Sequence, residues 1–120
     1  MKRILSVDDS QSVRQMVSFT LRKAGYEVSE ACDGRDGLSK VGQSKFDMII
    51  TDLNMPKLDG IQMITAIRSV QGYAFTPILM LTTESQPEKK DAGRKAGATG
   101  WIVKPFNGDQ LLAVVQKLVR

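Results

Sequence analysis

At 120 residues the chain has the length of one domain, with no room expected for a second, so residues 1–120 are read as a single unit. Apolar residues make up 42% and charged residues 25%, an ordinary globular composition, and 17 Lys and Arg against 13 Asp and Glu give a net charge of +4. One cysteine, Cys32, excludes an internal disulfide, and the absence of histidine excludes Ser-His-Asp catalysis and His-ligated zinc, so any metal must be held by oxygen.

Lys2 and Arg3 precede the first apolar block, Ile4–Val7, which is far too short for a signal peptide. No run approaches the ~20 apolar residues of a membrane span. A cytoplasmic chain with no membrane partner is therefore expected. Val13, Met16, Val17, Thr20, Leu21 and Ala24 then recur at helical spacing, with Ser10 suited to cap the helix and Gly25 to stop it. Residues 26–31, Tyr-Glu-Val-Ser-Glu-Ala, alternate apolar and polar as an edge strand does. Cys32 follows as an ordinary small residue with no partner thiol or basic neighbour to activate it.

The blocks Met48–Ile50, Ile78–Leu81 and Trp101–Val103 read, like Ile4–Val7, as strands buried on both faces. Ile61, Ile64, Ile67 and Val70 form a second helical stripe, and Leu111, Leu112, Val115, Leu118 and Val119 a last one, opened by an Asn107–Gln110 capping box. Pro87 suits the first turn of a helix running to about Ala96 and ended by Gly97. That helix has only alanines as apolar residues and carries Gly93 inside, so weak packing and mobility are expected of it. The six methionines read as core filler. Strands alternating with helices predict an α/β fold with a mostly parallel sheet and helices on both faces.

In such a sheet ligands bind beyond the carboxyl ends of the strands. Those ends carry Asp8 and Asp9, Asp52, Thr82 and Lys104. Helix caps and loops explain any one of these residues, but not the whole set, and least of all Lys104 beside Pro105. Three clustered carboxylates repel one another unless a cation lies among them, and Mg²⁺ fits because it takes one or two carboxylates and keeps room for a phosphate oxygen. A carboxylate beside Mg²⁺, with a lysine and a hydroxyl opposite, is a site for phosphoryl transfer to aspartate.

Asp8-Asp9, the run Asp52-Leu-Asn-Met-Pro-Lys-Leu-Asp-Gly60, Thr82-Thr-Glu84 and Lys104-Pro105-Phe106 follow successive strands in this order. In these motifs, and over essentially its whole length, the chain resembles a bacterial two-component response-regulator receiver domain of the stand-alone chemotaxis, CheY-like, type. The resemblance implies a flavodoxin-like (βα)5 fold with strand order 2-1-3-4-5. It implies that Asp52 is the phosphoacceptor and that Mg²⁺ is held by Asp9, Asp52 and the main-chain carbonyl of Asn54, with Asp8 acting through a water. Lys104 contacts the phosphoryl group, with a cis peptide to Pro105; Thr82 is the switch hydroxyl; Asn54 and Glu84 tune hydrolysis. The family's rotating aromatic falls on Trp101, which the residues alone read as an aromatic opening an edge strand.

The same resemblance makes helix 4, strand 5 and helix 5 the output surface. Lys89, Lys90, Arg94 and Lys95 would give it a basic face for an acidic partner, although charged helical faces are often only solvated. The expected protein is a monomeric signalling phosphoacceptor, not an enzyme acting on a separate substrate. A histidine kinase is its donor, the flagellar motor switch or another target its receiver, and a phosphatase a further partner. A phosphate sink or relay intermediate is the alternative. A haloacid-dehalogenase phosphatase would need a second Asp where Asn54 stands. The small net charge and the lack of an effector segment argue against nucleic acid as a partner.

Overall fold

The computed structural model of the chain describes residues 2–53, 58–82 and 87–119, with only the backbone of Pro87 and Lys89. Among the described residues five strands and five helices alternate: β1 (Arg3–Val7), α1 (Gln11–Lys23), β2 (Glu27–Ala31), α2 (Gly34–Gln43), β3 (Met48–Asp52), α3 (Gly60–Arg68), β4 (Ile78–Thr82), α4 (Pro87–Ala96), β5 (Gly100–Val103) and α5 (Gly108–Leu118). The strands form one parallel sheet in the order β2-β1-β3-β4-β5. This is the flavodoxin-like arrangement expected from the sequence.

The period-2 alternation of the strands divides the apolar residues between two layers. Leu5, Val7, Ile49, Ile78 and Met80 face Val41 of α2 and Met63, Ile64 and Ile67 of α3. Ile4, Met48, Ile50, Leu79 and Leu81 face Val17 and Leu21 of α1 and Leu111 and Val115 of α5. β3 and β4 are buried along their whole length. β5 is half-buried throughout, unlike the sequence expectation, because it lies at the sheet edge with no further strand beside it among the described residues.

The caps follow the local sequence. Ser10 Oγ accepts from the Val13 amide at 3.3 Å, and Asn107 and Gln110 form the expected capping box on α5. Asp59 with Gln62 on α3, and Asp33 on α2, cap in the same manner without having been read from the sequence. One expected core position differs: Ala24 is the exposed C-cap of α1, whereas Val70, just past the end of α3, packs on the core layer of α2 and α3. Gly25 follows that cap with φ 99°.

α4 meets the sheet at Gly93, which is buried, while Arg94 and Lys95 beside it are exposed. A Cβ on Gly93 would stand 2.1 Å from Met80 Sδ, so the missing side chain is what brings α4 onto the sheet. Ala96 packs against the same core layer. Met48, Met63 and Met80 are fully buried, in keeping with a filler role.

Candidate functional site

The sheet register brings the polar strand ends to one edge. Val7 pairs with Ala31 and Thr51, Asp52 with Leu81, and Thr82 with Val103. Asp8 therefore leaves β1, Asp52 and Thr82 close β3 and β4, and Lys104 leaves β5 on the same side. Asp8, Asp52 and Thr82 are buried, whereas Asp9 is exposed.

Carboxylate oxygens of Asp8, Asp9 and Asp52 lie within 4.8 Å of one another. Lys104 Nζ stands 3.3 Å from Asp8 Oδ2 and 3.5 Å from Asp52 Oδ1. Three carboxylates and this ammonium leave two formal negative charges, the charge of one divalent cation. The donors are all hard oxygens, and one of them is exposed to an entering ion, so the residues fit Mg²⁺.

The surroundings hold these groups in position. Asp8 donates its amide to Ala31 O at 3.1 Å and accepts from the Ser10 amide at 2.9 Å through Oδ1. The Lys104–Pro105 peptide is cis, as expected, and the Lys104 amide donates to Thr82 O. At the other side of the site, a Cβ on Gly60 would meet Asp52 O at 2.3 Å, so glycine lets the start of α3 lie against the end of β3.

Asn54 and Glu84, expected to tune hydrolysis, and the side chain of Lys89, expected on the basic face, lie outside the described residues. Trp101 is half-buried and packs on the α2–α3 core layer. Lys90 Nζ lies 5.0 Å from its ring centroid and the Arg94 Cζ 5.5 Å, so both cations stand over the indole. Arg94 and Lys95 are exposed on the same helix. Cys32 is exposed just past β2.

Two features escaped the sequence reading. Arg14 Nη1 donates to Asp8 O at 2.6 Å, although nothing in the periodicity of α1 marks this residue. An apolar cleft of about 460 Å³, lined by Val13, Met16, Lys104, Pro105 and Phe106, opens beside the site. Val13 and Met16 belong to the stripe of α1 and had been expected only to fill core. Away from the site, burial lowers the affinity of Arg68 for its proton, while its guanidinium donates to the carbonyls of Tyr73, Thr76 and Gly97.

A doubly wound parallel sheet whose carboxyl edge gathers an acidic triad, a hydroxyl and a lysine has the composition of an α/β site for a cation and a phosphoryl group. Residues 4–116 match the response regulator receiver domain, and the chain belongs to that family of phosphorylation-dependent signalling domains. It is 55% identical to the chemotaxis protein CheY4 of Vibrio cholerae, with a TM-score of 0.96 over 98% of each chain. It is 35% identical to the response regulator TrrA of Thermotoga maritima in complex with Mg²⁺ and BeF, with a TM-score of 0.87 over 98% of this chain and 99% of that one. Among curated relatives it is 38% identical over 120 residues to the DNA-binding dual master transcriptional regulator RpaA of Synechocystis, spanning all of this chain and 50% of that protein. The chain thus spans about half the length of such relatives. No helix among the described residues is long and apolar enough to cross a membrane.

Proposed function

We propose that Asp52 accepts a phosphoryl group from a phosphohistidine of a partner kinase, making the chain a cytoplasmic switch that signals by surface contact. The observation that carries this reading is the buried Asp52 carboxylate, 3.5 Å from Lys104 Nζ and inside an acidic cluster suited to a divalent cation. An Asp52 carboxylate oxygen attacks phosphorus in line. The P–N bond to the donor imidazole breaks, its electron pair stays on the ring nitrogen, and an acyl phosphate forms on Asp52. Asp9, Asp52 and the Asn54 carbonyl would hold Mg²⁺, with Asp8 acting through a water, and the bound ion would neutralise charge on the phosphoryl oxygens.

Lys104 contributes the other positive charge to those oxygens, and the Thr82 hydroxyl donates to one of them. Asn54 and Glu84 would tune the hydrolysis of the acyl phosphate, as the family resemblance implies. The chain in this reading acts on its own phosphorylation state and not on a separate substrate. The cleft beside Lys104 offers apolar contact to the donor protein next to the reacting atoms.

Thr82 drawn toward the phosphoryl group frees space for Trp101 to turn inward, shifting a pre-existing equilibrium of the α4–β5–α5 surface. Lys90, Arg94 and Lys95, with Lys89 next to them in sequence, give that surface a basic character that suits an acidic target segment. The similarity to CheY4 over 98% of both chains favours a chemotaxis output at the flagellar motor switch. A phosphate sink or relay intermediate is the alternative.

Incubation with a small acyl phosphate, with and without Mg²⁺, tests the chemistry. Wild type should incorporate phosphate only with Mg²⁺, and incorporation that persists in Asp52→Asn would refute the assignment. Pull-down by a motor-switch peptide, gained on phosphorylation, supports motor output; phosphotransfer from the kinase without such capture supports the sink.

A further inference from the structure

We propose that Arg14 is a positioning residue of the divalent-cation site, holding the β1–α1 loop so that Asp8 and Asp9 present their carboxylates together, with Glu30 of β2 as its anchor. The inference rests on the reading of Asp8, Asp9 and Asp52 as the cation site.

Asp8 is fixed on three sides by groups already described: Ala31 O at its amide, and the Ser10 amide and Lys104 at its carboxylate. Its carbonyl is fixed by Arg14 Nη1 at 2.6 Å. That carbonyl belongs to the peptide group that carries the amide of Asp9. Asp9 is exposed, so the orientation of its carboxylate depends on how that peptide is held. A charged donor on the carbonyl is a strong restraint on its rotation.

Arg14 is itself held. Its side chain is 17% exposed, and its Nε lies 3.4 Å from Glu30 Oε1. The other Glu30 oxygen lies 3.9 Å from Arg22 Nη2, which donates to Val28 O at 2.9 Å. The planar fork of arginine makes both contacts at once, one to the loop and one to the edge strand, where a lysine ammonium offers only a compact point charge. The ion pair with Glu30 also offsets the repulsion that a guanidinium would exert on an incoming cation. Arg14 therefore acts on the site through geometry more than through charge.

Geometry and charge predict opposite signs, and this makes the proposal testable. Mg²⁺ binding is measured by calorimetry on wild type, Arg14→Ala, Arg14→Lys, Glu30→Gln and the Arg14→Ala/Glu30→Gln double variant, alongside metal-free thermal unfolding. Arg14→Ala should bind Mg²⁺ about tenfold or more weakly, as losses of groups that orient metal ligands do. Arg14→Lys, which keeps the charge but not the fork, should also bind more weakly than wild type. Glu30→Gln should weaken binding less, and the double variant no more than Arg14→Ala alone. Acyl-phosphate labelling of Arg14→Ala should require more Mg²⁺ but reach the wild-type rate at saturation. Equal or tighter Mg²⁺ binding by folded Arg14→Ala or Arg14→Lys overturns the proposal while leaving the cation site intact. Absence of Mg²⁺ binding by wild type overturns both the proposal and the cation reading.

Discussion

Lys104 Nζ stands 3.5 Å from Asp52 Oδ1 and at nearly the same distance, 3.3 Å, from Asp8 Oδ2, so one ammonium is shared between two buried carboxylates. The cluster has more negative than positive charge, with Asp9 adding a third carboxylate within 4.8 Å. Such an arrangement serves an arriving cation and phosphoryl group at the expense of the metal-free fold.

Asp52→Asn should therefore separate stability from activity. It removes one carboxylate from the cluster while Lys104 keeps its contact with Asp8. Without Mg²⁺ the variant should be more stable than wild type by ~1–3 kcal/mol, the scale of a close like-charge interaction in a partly screened site. Thermal unfolding in a chelator checks this, and the stabilising effect should shrink as Mg²⁺ is added. An Asp52→Asn variant less stable than wild type under metal-free conditions would show that the ion pair with Lys104 outweighs the repulsion.

Gly93→Ala should destabilise the chain although alanine favours helix over glycine by ~1 kcal/mol. The new Cβ would lie 2.1 Å from Met80 Sδ, and the core must shift to admit it. Overpacking of this kind costs ~1–3 kcal/mol. Denaturant unfolding of Gly93→Ala, Met80→Ala and the double variant should give a strongly non-additive cycle, because Met80→Ala opens the space that the new methyl needs.

Gly93 also shows which parts of the molecule the sequence made legible. β1, β3, β4 and β5 were readable because each apolar block gives way to polar residues, and among these Asp8, Asp52, Thr82 and Lys104 form the site. α2 carries only a faint stripe because glycine stands where a large apolar residue would advertise a buried face. A Cβ on Gly34 would meet Leu58 O at 2.2 Å, and one on Gly37 would meet Met63 Sδ at 2.9 Å. Close approach thus leaves a gap in the hydrophobic pattern at the point of tightest contact. Arg14 was illegible for another reason: its partner at the site is a main-chain carbonyl, which every residue possesses.

The acid limb of stability should depend on Asp36. Burial pushes its carboxyl pKa up, but the Cys32 amide at 3.0 Å and the Lys40 ammonium at 3.4 Å outweigh this, so the net shift is downward from 3.8. A carboxyl with a depressed folded pKa contributes stability that is present above its unfolded value and lost as pH falls through the folded one. Asp36→Asn should lose stability at neutral pH and show a flatter decline below about pH 4, the range in which a free aspartate titrates. Chemical unfolding at a series of pH values reads the difference, and parallel curves for the two proteins would remove Asp36 from the acid response.

Trp101 offers the most direct view of switching. It is half-buried at the start of β5, packed on one core layer and overlaid by Lys90 and Arg94. Turning inward would strip the indole of both cations and of water together, so a beryllofluoride–Mg²⁺ complex should change its emission. Mg²⁺ alone supplies the reference, since a nearby ion can quench without any rotation. Indole donates through N–H and has no hydroxyl, so an inward Trp101 must leave its polar atom facing a carbonyl or water. Trp101→Phe, which has no such atom to satisfy, should shift the equilibrium toward the inward state and bind the motor-switch or other target more tightly at equal phosphorylation. Lys90→Gln with Arg94→Gln should shift the Trp101 emission of the unphosphorylated protein toward that of the activated form. An emission that ignores both the phosphate mimic and the two cation substitutions would leave Trp101 a fixed part of the core, with Thr82 acting on the output surface by another route.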